Sequence, residues 1–159
     1  MRTETIIRTL YTIDELPEDV KQRAIENLSD INVDYKWWDC IIDDAEEIGL
    51  KIKEFDIDRG SYVKGEFINN PETVANKIIT NHGEVCDTHQ TALTYLSDIK
   101  NVNPESEERE ELDNEFLYSL CEDYRITLKK DYEYRCSEEA ILETIKANSY
   151  EFTEYGELV

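Results

Sequence analysis

The chain has few glycines and few positive charges, and each shortage excludes functions. Five glycines in 159 residues are few for a glycine-rich nucleotide-binding loop. No Gly-rich phosphate loop, HExxH or GxSxG pattern occurs. The 17 Lys and Arg residues are outnumbered by 38 Asp and Glu residues, so the formal net charge is -21. Direct binding of DNA, RNA or an anionic membrane needs cationic side chains that displace counterions, and it is therefore not expected.

Long apolar runs and closely spaced cysteines are also missing. No apolar stretch reaches membrane-spanning length, and the N-terminal segment lacks the apolar core of a signal peptide. Cys40, Cys86, Cys121 and Cys136 show no paired short spacing, which is typical of free thiols in the cytosol. We therefore expect a cytoplasmic protein without disulfides.

The remaining composition is that of a folded protein. Hydrophobic residues make up 40% of the chain and aromatic residues 10%, contents too high for a disordered acidic tail. A chain of 159 residues fits one domain. We therefore predict a single acidic domain over residues 1–159.

Four segments have the composition of β-strands. Residues 3–13 are rich in Thr, Ile, Leu and Tyr and contain no breaker. Residues 50–57 and 62–68 flank a turn and predict a hairpin, with a shift of phase in the first strand that indicates a bulge. Residues 150–155 alternate aromatic with polar side chains and predict a short closing strand.

Apolar periodicity and capping residues predict five or six helices. They cover residues 17–31, 37–48, 71–81, 87–99 and about 105–134, with a further helix after residue 137. Asn70 and Ser137 are predicted N-caps, so a kink or break is expected near Cys136. Together these elements predict an α+β fold, with a small, mainly antiparallel sheet of three to four strands and helices packed mostly on one face.

Residues 10–48 carry a resemblance to known proteins. This stretch begins with the opening LYTIDELPEDVKQRAIENLSDINVDYKWWD. In it, a DEL turn leads into a helix, and DINVDYKWWD leads into a second helix that bears tryptophan. This opening resembles a family of small acidic proteins of bacteriophages and prophages, some labelled antitoxins, with weaker similarity at NHGEVCDT and YEFTEYGEL. The family often carries a Trp-containing hairpin, whereas KEFDIDRGSYVKGEF here lacks that Trp. The resemblance implies a phage origin, and hence the cytosol of a bacterial host, but no fixed activity.

The excess of acids is arranged in rows along two predicted helices. The first row is Asp39, Asp43, Glu46 and Glu47, and the second is Glu107, Glu108, Glu111 and Glu115. Acids three or four residues apart are separated by a rise of ~4.5 to 6 Å, close to the spacing of successive phosphates on a DNA strand. Tyr118, Tyr132 and Tyr134 would supply the aromatic anchors that binding surfaces favour. The alternative is that each row is a solvated helix face.

His82, Cys86 and His89 have the i, i+4, i+7 spacing that places three metal-capable groups on one helix face. Gly83 interrupts that helix and no fourth ligand is evident nearby. Zinc sites normally show tighter, paired spacing, so packing is the favoured interpretation of these residues. No metal and no other cofactor is expected.

Three hypotheses about function remain. The first is a phage-encoded acidic inhibitor that mimics DNA or RNA and occludes a host nucleic-acid-binding or defence protein, as an anti-CRISPR or anti-restriction protein does. The second is an antitoxin-like or adaptor protein that binds a basic protein through the helix around Trp37 and Trp38. The third is a metal-assisted enzyme. We expect a basic host protein as partner and no enzyme activity, and the sequence makes no prediction of the oligomeric state.

Overall fold

The computed structural model describes all 159 residues and contains six α-helices and one small β-sheet. The helices are α1 (Glu18–Asn27), α2 (Asp39–Glu47), α3 (Pro71–Asn81), α4 (Asp87–Ile99), α5 (Glu107–Arg135) and α6 (Glu138–Ala147), the strands are β1 (Leu50–Asp56) and β2 (Tyr62–Phe67), and Ile13–Glu15 is a 3-10 turn. Helices beside an antiparallel sheet make the fold α+β, as predicted. None of the helices combines the length and apolar character needed to cross a bilayer.

The sheet has two strands rather than the predicted three to four. The predicted strands at residues 3–13 and 150–155 are wrong, and the chain before Tyr11 forms no regular secondary structure. Tyr11 and Phe152 meet in an isolated bridge, with two N···O distances of 2.8 Å. The chain reverses directly after Phe152 through Gly156, which has a φ of 82°, so the pairing cannot continue.

The predicted hairpin is confirmed. Strands β1 and β2 pair antiparallel, with Leu50 opposite Phe67. Their register shifts between Ile52 and Glu54, which confirms the predicted bulge. Gly49 follows α2 with a φ of 94° and turns the chain into β1, because glycine adopts this left-handed conformation without a steric penalty.

Two predicted helix starts have a local cause. Asn70 accepts a hydrogen bond from the N–H of Glu72 at 2.9 Å, where α3 begins. Ser137 accepts one from the N–H of Ala140 at 3.3 Å, where α6 begins. The long helix α5 therefore ends and α6 begins on either side of Cys136, which confirms the predicted break.

Two compact units make up the chain. The first comprises Met1–Trp37 and Asp131–Val159, and the second comprises Trp38–Lys130, so α5 contributes residues to both. Each unit has its own buried cluster of apolar side chains. The first cluster includes Ile13, Leu16, Ile25, Ile141 and Phe152, and the second includes Ile48, Leu50, Val74, Ile78 and Leu120. The prediction of a single domain over residues 1–159 stays a prediction.

Candidate functional site

The predicted acidic row of α2 is exposed. Its four members, Asp39, Asp43, Glu46 and Glu47, are all solvent-accessible, and none forms an ion pair. Successive helical residues turn by about 100°, so these four carboxylates lie within an arc of about 100° on α2. We call this set the α2 row. It groups four exposed carboxylates that lie outside ion-pair distance of any basic group.

The predicted acidic row of α5 has the same character. Glu107, Glu108, Glu111 and Glu115 are exposed and form no ion pair, and we call this set the α5 row. Tyr118 is 69% exposed, and helical geometry places it between Glu107 and Glu111 on the same face. The α5 row therefore combines four carboxylates with one exposed aromatic ring.

The two rows belong to different surfaces of the second unit. Helices α2 and α5 meet where the hydroxyl of Tyr124 donates to Asp44 at 2.9 Å. Tyr124 lies about 140° around α5 from Glu111, so the α5 row faces away from the side that contacts α2. The α5 row is therefore directed away from the α2–α5 contact.

The other two predicted tyrosines do not join an acidic row. Tyr132 is half-buried, and its ring lies 5.6 Å from the ring of Trp37. Tyr134 is exposed, and its hydroxyl donates to Glu143 at 3.2 Å, a hydrogen bond that raises the pKa of Tyr134. Both belong to the first unit. Of the three predicted anchors, only Tyr118 accompanies exposed carboxylates on its own helix face.

Most of the negative charge has no ionic partner. The carboxylates that lie within ion-pair distance of a basic group are Asp14, Asp44, Glu66, Glu72, Asp113, Glu122 and Asp131. These are seven of 38 acidic residues, and one of the pairs involves a histidine. The charge excess seen in the sequence is therefore also an excess of unpaired carboxylates in the folded chain.

A polar network lines a cleft of ≈ 540 Å³ in the second unit. Nε2 of His82 lies 3.0 Å from Oδ2 of Asp44, and its Nδ1 lies 2.6 Å from Oγ1 of Thr88. The hydroxyl of Tyr124 reaches the same Asp44 oxygen, and burial, followed by the charge of Asp44, raises the pKa of Tyr124. Helix α2, the end of α3, the start of α4 and the middle of α5 thus each contribute one member.

The partners of His82 favour one tautomer of the neutral ring. A carboxylate only accepts hydrogen bonds, so Nε2 carries the hydrogen and donates to Asp44. In the neutral imidazole Nδ1 is then an acceptor, and the hydroxyl of Thr88 donates to it. Only 8% of Thr88 and 11% of the His82 side chain are exposed, so little water competes for these hydrogen bonds.

The three predicted metal-capable residues do not converge. Both nitrogens of His82 are engaged in the network, and Nδ1 of His89 lies 2.9 Å from the carbonyl oxygen of His82. Cys86 is exposed at the N-cap of α4. No group of three His, Cys, Asp or Glu side chains in the structure is arranged to hold a metal ion. Both histidines are instead held by hydrogen bonds to neighbouring side-chain and backbone groups.

Sequence reasoning missed Asp44 and Thr88. Thr88 follows His82 by six residues across a helix break, and Asp44 precedes His82 by 38 residues. The only sequence signal was His82 itself, at the end of one helix and close to the start of the next. Nothing in the spacing of the three residues indicates that the fold brings them together.

The two tryptophans are enclosed. Trp37 is 5% exposed, and Trp38 is half-buried with its ring edge-on to Phe55 at 5.6 Å. Helix α2 begins at Asp39, so both indoles precede it instead of lying on it as predicted. Neither indole is presented as a protruding anchor.

Comparison with protein-family models, with curated proteins and with solved structures finds no match to this chain. No family membership is therefore shown, and the resemblance to acidic phage proteins stays a prediction.

Proposed function

We propose that the protein is a phage-encoded acidic inhibitor that occludes the nucleic-acid site of a basic host protein, such as a defence nuclease of the CRISPR or restriction type. The observation that supports this proposal is the unpaired charge. All eight acids of the α2 and α5 rows are exposed and outside ion pairs, in a chain of net charge -21. Such a surface attracts a cationic binding site at long range and is screened by salt.

The α5 row is the better candidate for the contact. Glu107, Glu111 and Glu115 repeat every four residues, so each step rises by ~6 Å along one face of a long helix. Tyr118 adds an exposed ring to that face, and tyrosine is enriched among residues that dominate binding energy. Binding of this kind requires no cofactor and no chemistry. It fits a protein that acts in the cytosol of a bacterial host.

The antitoxin-like or adaptor alternative has less support. It depends on a tryptophan side chain that a basic partner can grip. Trp37 is buried and Trp38 lies against Phe55, so binding through either indole would first require the local structure to open. Tryptophan quenching by iodide or acrylamide in the free protein should accordingly be weak.

Salt-dependent co-purification with matched charge variants tests the proposal. Tagged wild-type protein is exposed to bacterial lysate at about 50 mM salt and eluted by raising the salt to about 500 mM. One variant replaces Glu107, Glu108, Glu111 and Glu115 with Gln. The control variant replaces four exposed, unpaired acids elsewhere with Gln, namely Glu26, Glu133, Glu151 and Glu157. Both variants lose the same amount of negative charge, so they separate a specific surface from net charge alone.

We expect the wild-type protein to retain a basic nucleic-acid-binding protein, which elutes as the salt concentration rises. Duplex DNA should displace this partner from the tagged protein. The control variant should still retain the partner, and the α5-row variant should not. Binding that is insensitive to salt would contradict charge mimicry. Equal losses in the two variants would show that net charge, and not the α5 row, controls the interaction.

A further inference from the structure

The contacts among Asp44, His82 and Thr88 are those of a positioning carboxylate, a base and a nucleophile. Nδ1 of His82 lies 2.6 Å from the Thr88 hydroxyl and Nε2 lies 3.0 Å from Asp44, so in the Nε2–H tautomer the hydroxyl donates to Nδ1 and Nε2–H donates to the carboxylate. Tyr124 steadies the carboxylate with a hydrogen bond of 2.9 Å. A hydroxyl bound to a neutral imidazole whose other nitrogen is held by a carboxylate is activated for attack, whatever the fold or the order of the residues in the chain.

The geometry points to an acyl-transfer site that hydrolyses small esters, with Thr88 as nucleophile, His82 as general base and Asp44 as positioning residue. This activity goes beyond the proposed inhibitor function and does not rest on it, because none of the three residues belongs to an acidic row. The two activities can therefore be lost separately.

The cleft defines the class of substrate. Its volume of ≈ 540 Å³ suits a small molecule, since ligand sites commonly measure ~300 to 1,000 Å³. Three carboxylates line it, those of Asp44, Asp87 and Asp123, against the single ammonium group of Lys130. This balance disfavours an anionic substrate and favours an uncharged or cationic ester. Val85 and Ile41 supply apolar lining for a short acyl chain.

The start of α4 supplies donors for a developing negative charge. Cys86, the N-cap residue, makes no side-chain capping bond, and the backbone N–H groups of Asp87 and Thr88 have no acceptor within the protein. Unpaired N–H groups at the positive end of a helix stabilise an oxyanion. The nucleophile thus lies in the first turn of the helix that offers these donors.

The residues account for each proton in the reaction. Oγ1 of Thr88 attacks the carbonyl carbon of the ester while its proton passes to Nδ1 of His82. The bond to the leaving oxygen then breaks, and that oxygen takes the proton from Nδ1. A water molecule attacks the resulting acyl-Thr88 ester and gives one proton to Nδ1. The bond to Oγ1 breaks, Thr88 recovers the proton, and a carboxylic acid leaves.

Reaction of the full-length protein with p-nitrophenyl acetate tests the inference. Release of p-nitrophenol measures hydrolysis, and peptide mapping by mass spectrometry locates any acetyl group. The variants are Thr88→Val, which keeps the side-chain shape, Thr88→Ser, which keeps the hydroxyl, and His82→Gln. Thr94→Val, at an exposed position on the same helix α4, is the matched control.

We expect acetyl-Thr88 in the wild-type protein and hydrolysis that falls by about 100-fold or more in Thr88→Val and His82→Gln. Thr88→Ser, which keeps a hydroxyl nucleophile, should restore hydrolysis relative to Thr88→Val and be acetylated at position 88, whereas Thr94→Val should hydrolyse the ester at the wild-type rate. The inference is overturned if no acetyl group is found on Thr88, or if folded Thr88→Val hydrolyses the ester as fast as the wild type. Because the mapping uses wild-type protein, it gives an answer even if the Thr88→Val variant does not fold.

Discussion

Replacing Arg109 with Met should destabilise the second unit by more than the loss of an exposed ion pair would. The Arg109 side chain is 9% exposed, with Nε 3.1 Å from Asp113 and an NH2 group 3.4 Å from Glu72. Its guanidinium carbon lies 5.9 Å from the centre of the Tyr95 ring, and that ring stacks on Phe116 at 4.2 Å. Arg109 therefore ties α3, α4 and α5 together among acids that would otherwise repel one another.

The size of the stability loss depends on how exposed the two carboxylate partners of Arg109 are. Truncating one member of a fully buried ion pair costs about 3 to 5 kcal/mol, whereas an exposed pair contributes about 0 to 1 kcal/mol. The carboxylates here are 30% and 55% exposed, so solvent relieves part of the penalty. Methionine preserves the packing of the aliphatic stem. We expect Arg109→Met to lower the free energy of unfolding by about 2 to 3 kcal/mol.

A double-mutant cycle with Asp113→Asn isolates the pair. Urea unfolding is followed by tryptophan fluorescence for the wild type, both single variants and the double variant. Asparagine can still accept the hydrogen bond from Tyr95. Burial, followed by the hydrogen bond to Asp113, raises the pKa of Tyr95 to about 12, so this donor stays protonated in the assay. The coupling energy between Arg109 and Asp113 should be about 1 to 2 kcal/mol.

Arg125→Met is the matched control on the same helix. Its pair with Glu122, at 3.0 Å, is more exposed, with 23% and 39% of the two side chains accessible. The substitution should cost less than about 1 kcal/mol. Additive effects of Arg109→Met and Asp113→Asn, or equal losses at positions 109 and 125, would refute the reasoning.

Two further stability changes follow from the structure. Burial is the largest influence on Asp123 and raises its pKa above the ordinary value, so ionisation of this carboxyl opposes folding. The contribution of the protonated carboxyl to the free energy of unfolding is fully present below the unfolded-state pKa. It is lost as the pH rises through the folded-state pKa. Asp123→Asn should raise the free energy of unfolding by about 0.5 to 1 kcal/mol at about pH 7 and change it little at about pH 3, and the opposite trend in urea titrations would contradict this account. A Cβ at Gly65 would lie 2.9 Å from the Lys51 carbonyl oxygen in the paired strand. Gly65→Ala should therefore lower the free energy of unfolding by about 1 to 3 kcal/mol, measured by thermal unfolding. The control Gly83→Ala should change it almost not at all, because a Cβ there meets no heavy atom within 4 Å. A neutral Gly65→Ala would show that the strands separate readily.

The helices were predictable because their signals are local. Asn70 before Pro71 and Ser137 before two glutamates mark helix starts within a few residues, and the structure shows both side chains accepting the expected hydrogen bonds. A strand needs a partner from elsewhere in the chain, and residues 3–13 have strand composition but only one bridged residue. Composition alone therefore overestimated the sheet.

The same distinction between local and long-range signals applies to the candidate sites. Exposure of the acidic rows was predictable, since their charge and their spacing on a helix are read directly from the sequence. The association of Asp44 with His82 was not, because it depends on how α2 and the end of α3 approach each other in the folded unit. Tyr132 was predicted as an exposed anchor, yet its aromatic ring is better accommodated against Trp37.

The division of the chain into units has a consequence for biosynthesis. Trp38–Lys130 is one uninterrupted stretch, so its core is complete once the ribosome has released that segment. The other unit joins Met1–Trp37 to Asp131–Val159, and its opening residues must wait for the tail to be translated. During synthesis, the apolar side chains of Ile13, Leu16 and α1 thus remain uncovered until the C-terminal segment is translated.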